Sequence, residues 1–150
     1  FKIFKFRTMV MNADKMGPLV TQDNDSRITK IGKKIRSFRL DEVPQLINVL
    51  IGDMSFVGTR PEVQKYVDAY SEEMLVTLLL PAGITSKSSI EFRNEADKIS
   101  KWMEKALTAD EAYIQKILPE KMQYNIDYID EVSVAQDIKV MLQTVFAVLR

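Results

Sequence analysis

The chain has 150 residues, 46% of them hydrophobic and 28% charged, a composition typical of one globular domain with its own core. It contains neither cysteine nor histidine, which excludes disulfides, thiolate chemistry, histidine general bases and the usual zinc ligands. Catalysis must therefore use carboxylates, lysine, arginine, tyrosine or hydroxyl groups. A metal ion must be held by oxygen atoms, which favours magnesium.

Charge is unevenly distributed along the chain, although its net charge is zero. Residues 1–60 include 11 basic and 6 acidic side chains, whereas residues 61–150 include 10 and 15. The basic first part predicts an anionic partner, and nucleic acid, an anionic membrane surface and a diphosphate substrate all fit. We find no signal peptide and no run of the roughly 18 apolar residues that span a bilayer. Because the chain begins at Phe1, we expect it to be part of a longer protein.

The first part of the chain predicts a strand, a loop and a basic helix. Alternating side chains over residues 1–9 are typical of a half-buried strand, and the polar residues 10–25 predict a long, mobile loop. Residues 26–39 predict an amphipathic helix with lysines and arginines around an apolar face. Its apolar face consists of Ile28, Ile31, Ile35 and Phe38. Such a helix can be solvated, lie among lipid headgroups or bind a nucleic-acid backbone.

The chain is organised around residues 40–62, LDEVPQLINVLIGDMSFVGTRPE. A projection at about 100° per residue predicts a short helix over residues 41–51 with two contrasting faces. The apolar face consists of Val43, Leu46, Ile47 and Leu50, and the polar face of Asp41, Gln45 and Asn48. Pro44 falls in the first turn, where it is tolerated, and Gly52 stands where a helix ends.

Two interpretations of Asp41 are open at this point. As a helix N-cap, it accepts a hydrogen bond from the first-turn N–H groups and suits the positive end of the helix dipole. The functional interpretation is supported by other polar residues nearby in sequence: Glu42 is adjacent, the polar stripe continues along the helix, and Arg60 follows downstream. This combination favours a phosphate and metal site.

The middle of the chain predicts a strand, a long helix and a loop. A short strand is expected over residues 54–57, before a glycine-rich turn. Residues 62–80 predict a helix that Pro81 ends. The hydroxyl-rich residues 82–89 predict a loop, which is either a plain connector or part of a binding site.

The last third predicts helices throughout. Capping-box spacings at Thr108 and Ser133 predict two helix starts, and the helix that follows Thr108 is expected to end at Pro119. One apolar face is expected to consist of Ile99, Trp102, Met103 and Ala106. The closing helix is expected to bury a second one, in the core or facing a membrane: Ile138, Met141, Leu142, Val145 and Leu149. The predicted fold is a helix-dominated α+β single domain over residues 1–150, with a small β element and several amphipathic helices facing the membrane plane.

Several spaced motifs resemble, in order, the signature of the bacterial sugar transferases, which are monotopic phosphoglycosyl transferases. The matching segments are residues 4–9 (FKFRTM), 25–32 (DSRITKIG), 40–46 (LDEVPQL), 48–50 (NVL), 52–55 (GDMS), 57–58 (VG), 60–62 (RPE) and 83–85 (GIT). The resemblance is dense as far as Arg93 and thinner through Tyr128, Ser133 and Asp137. Thr59 stands where the family usually has proline, which weakens the expectation of a rigid turn.

The resemblance implies transfer of a phosphosugar from a nucleotide diphosphosugar to a polyprenol phosphate, through a phosphosugar covalently bound to Asp41. Asp41 is the predicted nucleophile, and Glu42 is the better candidate for the general base, although the sequence leaves the two roles interchangeable. A magnesium ion bridging Asp41, Glu42 and the diphosphate is predicted to offset the repulsion between carboxylate and phosphate. Arg60 is expected to bind phosphate.

Further substrate contacts are predicted among polar residues of the matching segments. They are Lys5, Arg7 and Lys30 for phosphates or headgroups, Thr8 in the same first segment, Gln45 and Asn48 on the polar helix face, and Thr85 in the loop that the resemblance places near the nucleotide sugar. The resemblance implies uridine as the nucleotide base, an anionic membrane surface as a partner, and the cytoplasmic face of the bacterial inner membrane as the location, with a hydrophobic segment upstream.

Two other functions compete with this prediction. A nucleic-acid-binding module could use the basic helix, but no aromatic-rich RNA motif or zinc-finger spacing supports it, so we predict no nucleic-acid partner. A non-catalytic domain could keep the scaffold and lack the activity. Failure of the full-length protein to bind magnesium or a nucleotide sugar would favour the non-catalytic domain.

Overall fold

The computed structural model describes residues 1–21, 25–103 and 107–149. Its helices are α1 (Lys30–Ser37), α2 (Gln45–Leu50), α3 (Gln64–Val67), α4 (Glu72–Leu75), α5 (Lys87–Glu91), α6 (Glu95–Met103), α7 (Ala109–Ala112), α8 (Leu118–Glu131) and α9 (Val134–Leu149). Its strands are β1 (Met54–Val57) and β2 (Ala82–Thr85). The prediction of a helix-dominated α+β fold with a small β element is confirmed. Within the described residues, no helix is both long and apolar enough to cross a bilayer.

The two strands form a parallel sheet that fixes the segment leading to Arg60. The position of β1 was predicted, whereas β2 falls in the segment predicted to be a loop. Met54 pairs with Ala82 and Val57 with Thr85. A Cβ atom on Gly83 would lie 2.2 Å from the backbone nitrogen of Gly58, so the backbones can meet only because residue 83 is glycine.

The strand predicted over residues 1–9 is wrong. Among the described residues, this segment forms one isolated β-bridge, between Met9 and Ile28, and no strand. The carbonyl of Thr8 also accepts from the N–H of Thr29 (3.0 Å), and other backbone groups of the segment are bonded to residues 41 and 48. The N–H of Phe6 donates to the carbonyl of Asp41 (3.0 Å), and the N–H of Phe4 donates to Oδ1 of Asn48 (3.0 Å). A helix side chain thus takes the place that a neighbouring strand would have.

The loop predicted over residues 10–25 is present in its described part and is organised by Arg27. This buried guanidinium forms an ion pair with Asp25 (2.6 Å) and donates to the carbonyls of Ala13 (3.0 Å) and Pro18 (2.8 Å). Residues 22–24 of the prediction lie outside the described residues. The basic helix that follows is shorter than predicted, because Thr29 caps it at the N–H of Gly32 (2.9 Å).

The central helix is divided into a 3-10 turn, Leu40–Glu42, and the α-helix α2. Arg39 begins the turn in the left-handed conformation (φ 56°), which is costly for a residue with a side chain. Gly52, at φ 86°, follows the end of α2 as predicted.

The two faces of α2 are present, but their burial is the reverse of that in an ordinary surface helix. The polar residues Gln45 and Asn48 are 2% and 0% exposed. The apolar residues Val43, Leu46, Ile47 and Leu50 are all exposed. Exposed apolar side chains also occur in and after α1, at Ile31, Phe38 and Leu40. The segment from α1 to α2 therefore presents much apolar surface outside the core.

The single helix predicted over residues 62–80 is wrong. The chain instead forms α3, α4 and a 3-10 turn, Val76–Leu79, before Pro81. Tyr66 on α3 is buried, and its hydroxyl donates to Asp110 (2.6 Å). Ser71 then caps a new helix by accepting from the N–H of Met74 (3.4 Å). The cap and the buried tyrosine divide what apolar spacing alone predicted to be continuous.

Both predicted helix starts in the last third are confirmed. Thr108 forms a complete capping box with Glu111, and Ser133 accepts from the N–H of Gln136 (3.2 Å). The predicted end at Pro119 is wrong, since the π-helical turn Tyr113–Ile117 leads directly into α8. Pro119 is tolerated there because it lies in the first turn of α8 and the wider preceding turn accommodates its missing N–H.

The core lies between α3 and the helices α6 to α8. Its most buried members are Tyr66, Phe92, Ile99, Ala112, Tyr113, Ile117, Leu118 and Met122. A smaller cluster joins β1, α8 and α9 through Val57, Tyr128 and Val140. The prediction of core packing for the apolar stripe of α9 is wrong for Ile138, Leu142 and Val145, which are exposed, and the alternative of membrane-facing packing stays a prediction. Two predicted face positions, Ala106 and the side chain of Leu149, lie outside the described residues.

Candidate active site

A cavity of about 600 Å³ opens beside the 3-10 turn. Its walls come from the first residues of the chain, the end of α1, the segment 60–63, the start of α6, and the helices that contribute Tyr113 and Lys121. Ten acidic or basic side chains line it: Lys5, Arg36, Arg39, Asp41, Glu42, Arg60, Glu62, Arg93, Glu95 and Lys121.

Asp41 faces this cavity with an unoccupied carboxylate. The residue is 8% exposed, and none of the residues the structure describes forms a hydrogen bond or ion pair with its side chain. Its backbone carbonyl accepts from Phe6, which anchors the turn to the first segment. The N-cap interpretation is wrong, because Arg39 begins the turn and Pro44 precedes α2. The residue is mostly buried, but its unpartnered carboxylate oxygens are open to the cavity and therefore available to a ligand.

Glu42, in contrast, is fully engaged. Both of its oxygens accept from the guanidinium of Arg60, and Oε1 lies 3.6 Å from Nζ of Lys5. Arg39 adds a third cation at 4.0 Å. Burial alone would raise the pKa of Glu42, but the charge and hydrogen bonds of Arg60, then Lys5 and Arg39, outweigh it and lower this pKa to about 2. Such a carboxylate is poorly suited to accept a proton at neutral pH.

The residues around Glu42 form a cluster with excess positive charge, which we call the basic cluster: Lys5, Arg39, Glu42 and Arg60. Three cations share one carboxylate, so the cluster keeps a net charge of +2. Burial lowers the pKa values of Lys5 and Arg39, and repulsion from Arg60 acts in the same direction, against the attraction of Glu42 and Asp41. An anion bound beside the cluster would relieve this repulsion, and a diphosphate is such an anion.

A second cavity, of about 220 Å³, lies on the other side of the Glu42–Arg60 pair. Its lining is mostly apolar and includes Val43, Leu46, Ile84, Ile90, Ala147 and Val148. Arg39 and Arg93 line both cavities, as do Glu42 and Arg60. A polar cavity and an apolar cavity therefore meet at one basic cluster.

The structure brings together five of the ten predicted site residues at the large cavity: Lys5, Thr8, Asp41, Glu42 and Arg60. The other five lie elsewhere. Arg7 is exposed and contacts Sδ of Met11 (3.2 Å), and Lys30 is exposed at the start of α1. Thr85 lines the apolar cavity, where its hydroxyl lies 2.7 Å from that of Thr144.

Gln45 and Asn48 are buried on the inner face of α2. Asn48 accepts from the N–H of Phe4, and its amide donates to the carbonyl of Lys2 (2.7 Å). It thereby holds the segment that carries Lys5 beside Glu42. Its observed contacts are those of a positioning residue, and its prediction as a substrate contact stays a prediction.

Sequence reasoning missed Arg36, Arg39, Arg93 and the residues at the far side of the large cavity. Arg36 was grouped with the solvated lysines of α1, but its guanidinium reaches Thr8 (3.4 Å) and Thr21 (2.9 Å). The basic character of residues 26–39 was the one sequence signal for these arginines. Nothing local marked Arg93.

The residues present fit a magnesium ion only in part. Among the described residues, no group of three or more acidic side chains could enclose a metal ion. Magnesium is commonly held by one or two carboxylates together with substrate phosphates. Asp41 has free oxygens for this role, whereas both oxygens of Glu42 are bonded to Arg60.

An unpartnered carboxylate beside a cluster of cations is an arrangement that suits the binding of phosphate groups. Residues 1–150 match the model of the family described as "Bacterial sugar transferase", so the chain belongs to this family. Family membership agrees with the resemblance carried by the sequence motifs.

Curated relatives cover nearly the whole chain. A UDP-N-acetylgalactosamine-undecaprenyl-phosphate N-acetylgalactosaminephosphotransferase of Aeromonas hydrophila is 33% identical over 99% of this chain and 32% of its own length. A UDP-glucose:undecaprenyl-phosphate glucose-1-phosphate transferase of Escherichia coli strain K12 is 39% identical over 97% of this chain and 29% of its own length. The chain thus spans about a third of these relatives.

Proposed function

We propose that this protein transfers a sugar 1-phosphate from a UDP-sugar to a polyprenol phosphate, with Asp41 as the nucleophile. The observation that carries the proposal is the unpartnered carboxylate of Asp41, a largely buried residue whose side chain opens into a cavity shared with the basic cluster. The names of the relatives support the two substrates, since they specify UDP-sugars and undecaprenyl phosphate. The initiation of a membrane-bound glycan is the process that this reaction serves.

The reaction has two phosphoryl transfers. A carboxylate oxygen of Asp41 attacks the phosphorus that bears the sugar, and an Asp41–phosphosugar bond forms as the bond to uridine monophosphate breaks. A phosphate oxygen of the acceptor then attacks the same phosphorus, the bond to Asp41 breaks, and a polyprenyl diphosphosugar leaves. The free carboxylate is restored.

Glu42 is assigned a positioning role in this scheme. A phosphate monoester has a second pKa of about 6 and is mostly a dianion at neutral pH, so the acceptor can attack without first losing a proton. The reaction therefore needs no general base on the acceptor. Glu42 instead holds Arg60 and Lys5 where they face the phosphates. These cations neutralise the charge that develops during transfer.

Magnesium remains part of the proposal. Asp41 would hold the ion together with the diphosphate, and the bound ion supplies further neutralisation of phosphate charge. The free carboxylate of Asp41 supports this assignment, whereas the occupied oxygens of Glu42 disfavour it as a second ligand.

The apolar cavity is assigned to the lipid acceptor. Its apolar lining suits a prenyl chain, and Arg39, Arg60 and Arg93 at its edge suit the phosphate at the end of that chain. Exposed Leu46 and Val43 continue this lining outward. We propose that this surface lies on an anionic membrane, at the cytoplasmic face of the bacterial inner membrane that the sequence resemblance implies.

The test is release of uridine monophosphate by the full-length protein in detergent. The protein is incubated with magnesium, a short polyprenol phosphate and UDP-glucose, UDP-galactose or UDP-N-acetylgalactosamine in turn. At least one sugar is expected to give release together with a lipid-linked diphosphosugar. Folded protein that binds none of the donors would indicate a non-catalytic domain, and salt-sensitive binding to DNA would indicate the nucleic-acid module.

A bulky side chain that fills the apolar cavity should slow the second transfer, to the lipid, and leave the first transfer, to Asp41, nearly unchanged. Ala147→Trp is expected to lower lipid transfer by about tenfold or more, because each CH₂ group kept out of the cavity forfeits about 0.8 kcal/mol. Exchange of labelled uridine monophosphate into the UDP-sugar, which needs no acceptor, should stay within about twofold. Ala135→Trp makes the same change at an exposed position of α9 and is the control. Equal loss of exchange and transfer would place the lipid elsewhere.

A further inference from the structure

We infer that the far side of the large cavity is a subsite for the sugar of the donor, where Glu62 and Glu95 accept hydrogen bonds from its hydroxyl groups. The inference rests on the proposed function, because it assigns part of the proposed substrate to the same cavity. The residues concerned form a second cluster, which we call the acidic cluster: Glu62, Glu95, Tyr113 and Lys121.

Lys121 is the centre of the acidic cluster. The residue is 5% exposed, and its Nζ lies 3.1 Å from Oε1 of Glu62, 2.9 Å from Oε2 of Glu95 and 2.7 Å from the hydroxyl of Tyr113. The Tyr113 hydroxyl in turn donates to Oε1 of Glu62. A buried ammonium is costly unless it is fully bonded, and here its three donors have three acceptors. The lysine therefore fixes both carboxylates at the cavity wall.

The acidic cluster has acceptor capacity that the protein does not use. Two carboxylates face one ammonium, which leaves a net charge of −1. Within the described part of the chain, no group donates to Oε2 of Glu62 or to Oε1 of Glu95. An ionised carboxylate can accept about four hydrogen bonds. The free oxygens and the unpartnered Asp41 share one cavity, so both point to the same ligand.

Charge decides which part of the donor each cluster receives. The basic cluster attracts the diphosphate, whereas the acidic cluster repels phosphate and favours neutral hydroxyl donors. Arg60 and Glu62 are two residues apart and belong to different clusters, so the two regions are adjacent. Burial lowers the pKa of Arg60, but the negative charges of Glu42, then Glu62 and Glu95, raise it by more. Arg60 is therefore close to carboxylates of both clusters. A sugar bonded directly to a phosphate needs such neighbouring regions.

The π-helical turn makes the acidic cluster possible. In a continuous α-helix, side chains eight residues apart differ by about 80° around the axis. The extra residue of a π turn reduces this difference to about 20°, which puts Tyr113 and Lys121 on the same face. Their 2.7 Å contact depends on that change. Turns of this kind occur frequently at functional sites, in agreement with a role for the cluster beyond stability.

Glu95→Gln tests the inference in the full-length protein. The change keeps the size of a partly exposed side chain and removes the charge that strengthens a bond to a hydroxyl. We expect kcat/KM for the preferred UDP-sugar to fall about tenfold, and the preference over the other two UDP-sugars to narrow. Affinity for UDP, which has no sugar, should stay within about twofold. Glu120→Gln, an exposed change beside Lys121 in sequence, is the control.

The possible outcomes separate this inference from the proposed function. Wild-type protein that releases uridine monophosphate, with a Glu95→Gln variant that keeps the sugar preference, would overturn the sugar subsite alone. Loss of UDP affinity in the variant would place the nucleotide base there and also overturn it. Inactive wild-type protein would overturn both. Tyr113→Phe, which removes one donor to Glu62, is the second variant and should narrow the same preference even if Glu95→Gln fails to fold.

Discussion

Asp41→Asn is expected to abolish sugar-phosphate transfer, lowering kcat by roughly 10⁴-fold or more. The amide oxygen carries no negative charge and is a much weaker nucleophile towards phosphorus than the carboxylate oxygen. The variant should remain folded, because no described residue bonds to the Asp41 side chain and no pairing is lost. Loss of activity without loss of fold is what distinguishes a nucleophile from a structural carboxylate.

The decisive measurement is the covalent intermediate itself. Wild-type protein given a UDP-sugar without acceptor and then quenched should gain the mass of one phosphosugar, carried by the peptide that contains Asp41. Asp41→Asn should gain none, and Asp130→Asn, a change at an exposed position of α8, should behave like wild type. Full activity without the Asp41 carboxylate, or an adduct on another residue, would reject the mechanism.

Local sequence signals were sufficient to predict that Glu42 and Arg60 lie with Asp41 at the candidate site. Asp41 and Glu42 are adjacent, and the segment that follows leads directly to Arg60. The positive φ of Gly52 and the caps at Thr108 and Ser133 also depend on the identity of one or a few neighbouring residues. Features of this kind are encoded within a few residues, so the sequence alone predicts them.

Periodicity showed that α2 has two faces but could not show which face is buried. The usual rule would bury Leu46 and expose Asn48, and the structure does the opposite. The reason is the first segment of the chain, whose backbone needs the Asn48 amide 44 and 46 residues away. Such a long-range contact leaves no local pattern. The same holds for the exposed apolar stripe of α9, which local spacing predicted to be buried.

The acidic cluster illustrates the same limit at the candidate site. Lys121 lies 59 residues from Glu62 and 26 from Glu95 in sequence. Each of these residues taken alone is an ordinary charged residue of a helix or loop. Only the fold, including a π turn that no sequence signal predicted, brings them together.

Glu42→Gln is expected to destabilise the protein, because three cations lose their shared carboxylate. The pKa of Glu42 is lowered from its ordinary 4.5 to about 2, which corresponds to about 3 kcal/mol. Since the folded pKa is the lower one, the ionised carboxylate stabilises the fold above about pH 4.5, and this contribution declines as the pH falls to about 2. The variant should melt roughly 6–12 °C lower at neutral pH and show a flatter pH dependence across that window.

An exposed ion pair provides the control for this melting experiment. Glu131→Gln makes the same change where Glu131 pairs with Lys87 at 2.5 Å, but its side chain is 47% exposed. A solvent-exposed pair contributes at most about 1 kcal/mol, so this variant should melt within a few degrees of wild type. If both variants melted alike, Glu42 would not be holding the basic cluster together.

The same variant distinguishes positioning from general-base catalysis by Glu42. A base that acts only on the acceptor has no part in forming the Asp41–phosphosugar bond, so its removal should leave the first transfer intact and slow only the second. A residue that positions Arg60 and Lys5 serves both transfers, because both place charge on the same phosphoryl oxygens. We therefore expect Glu42→Gln to slow adduct formation and lipid transfer together, each by about 10²-fold. Rapid adduct formation followed by a stalled second step would instead restore Glu42 as the base.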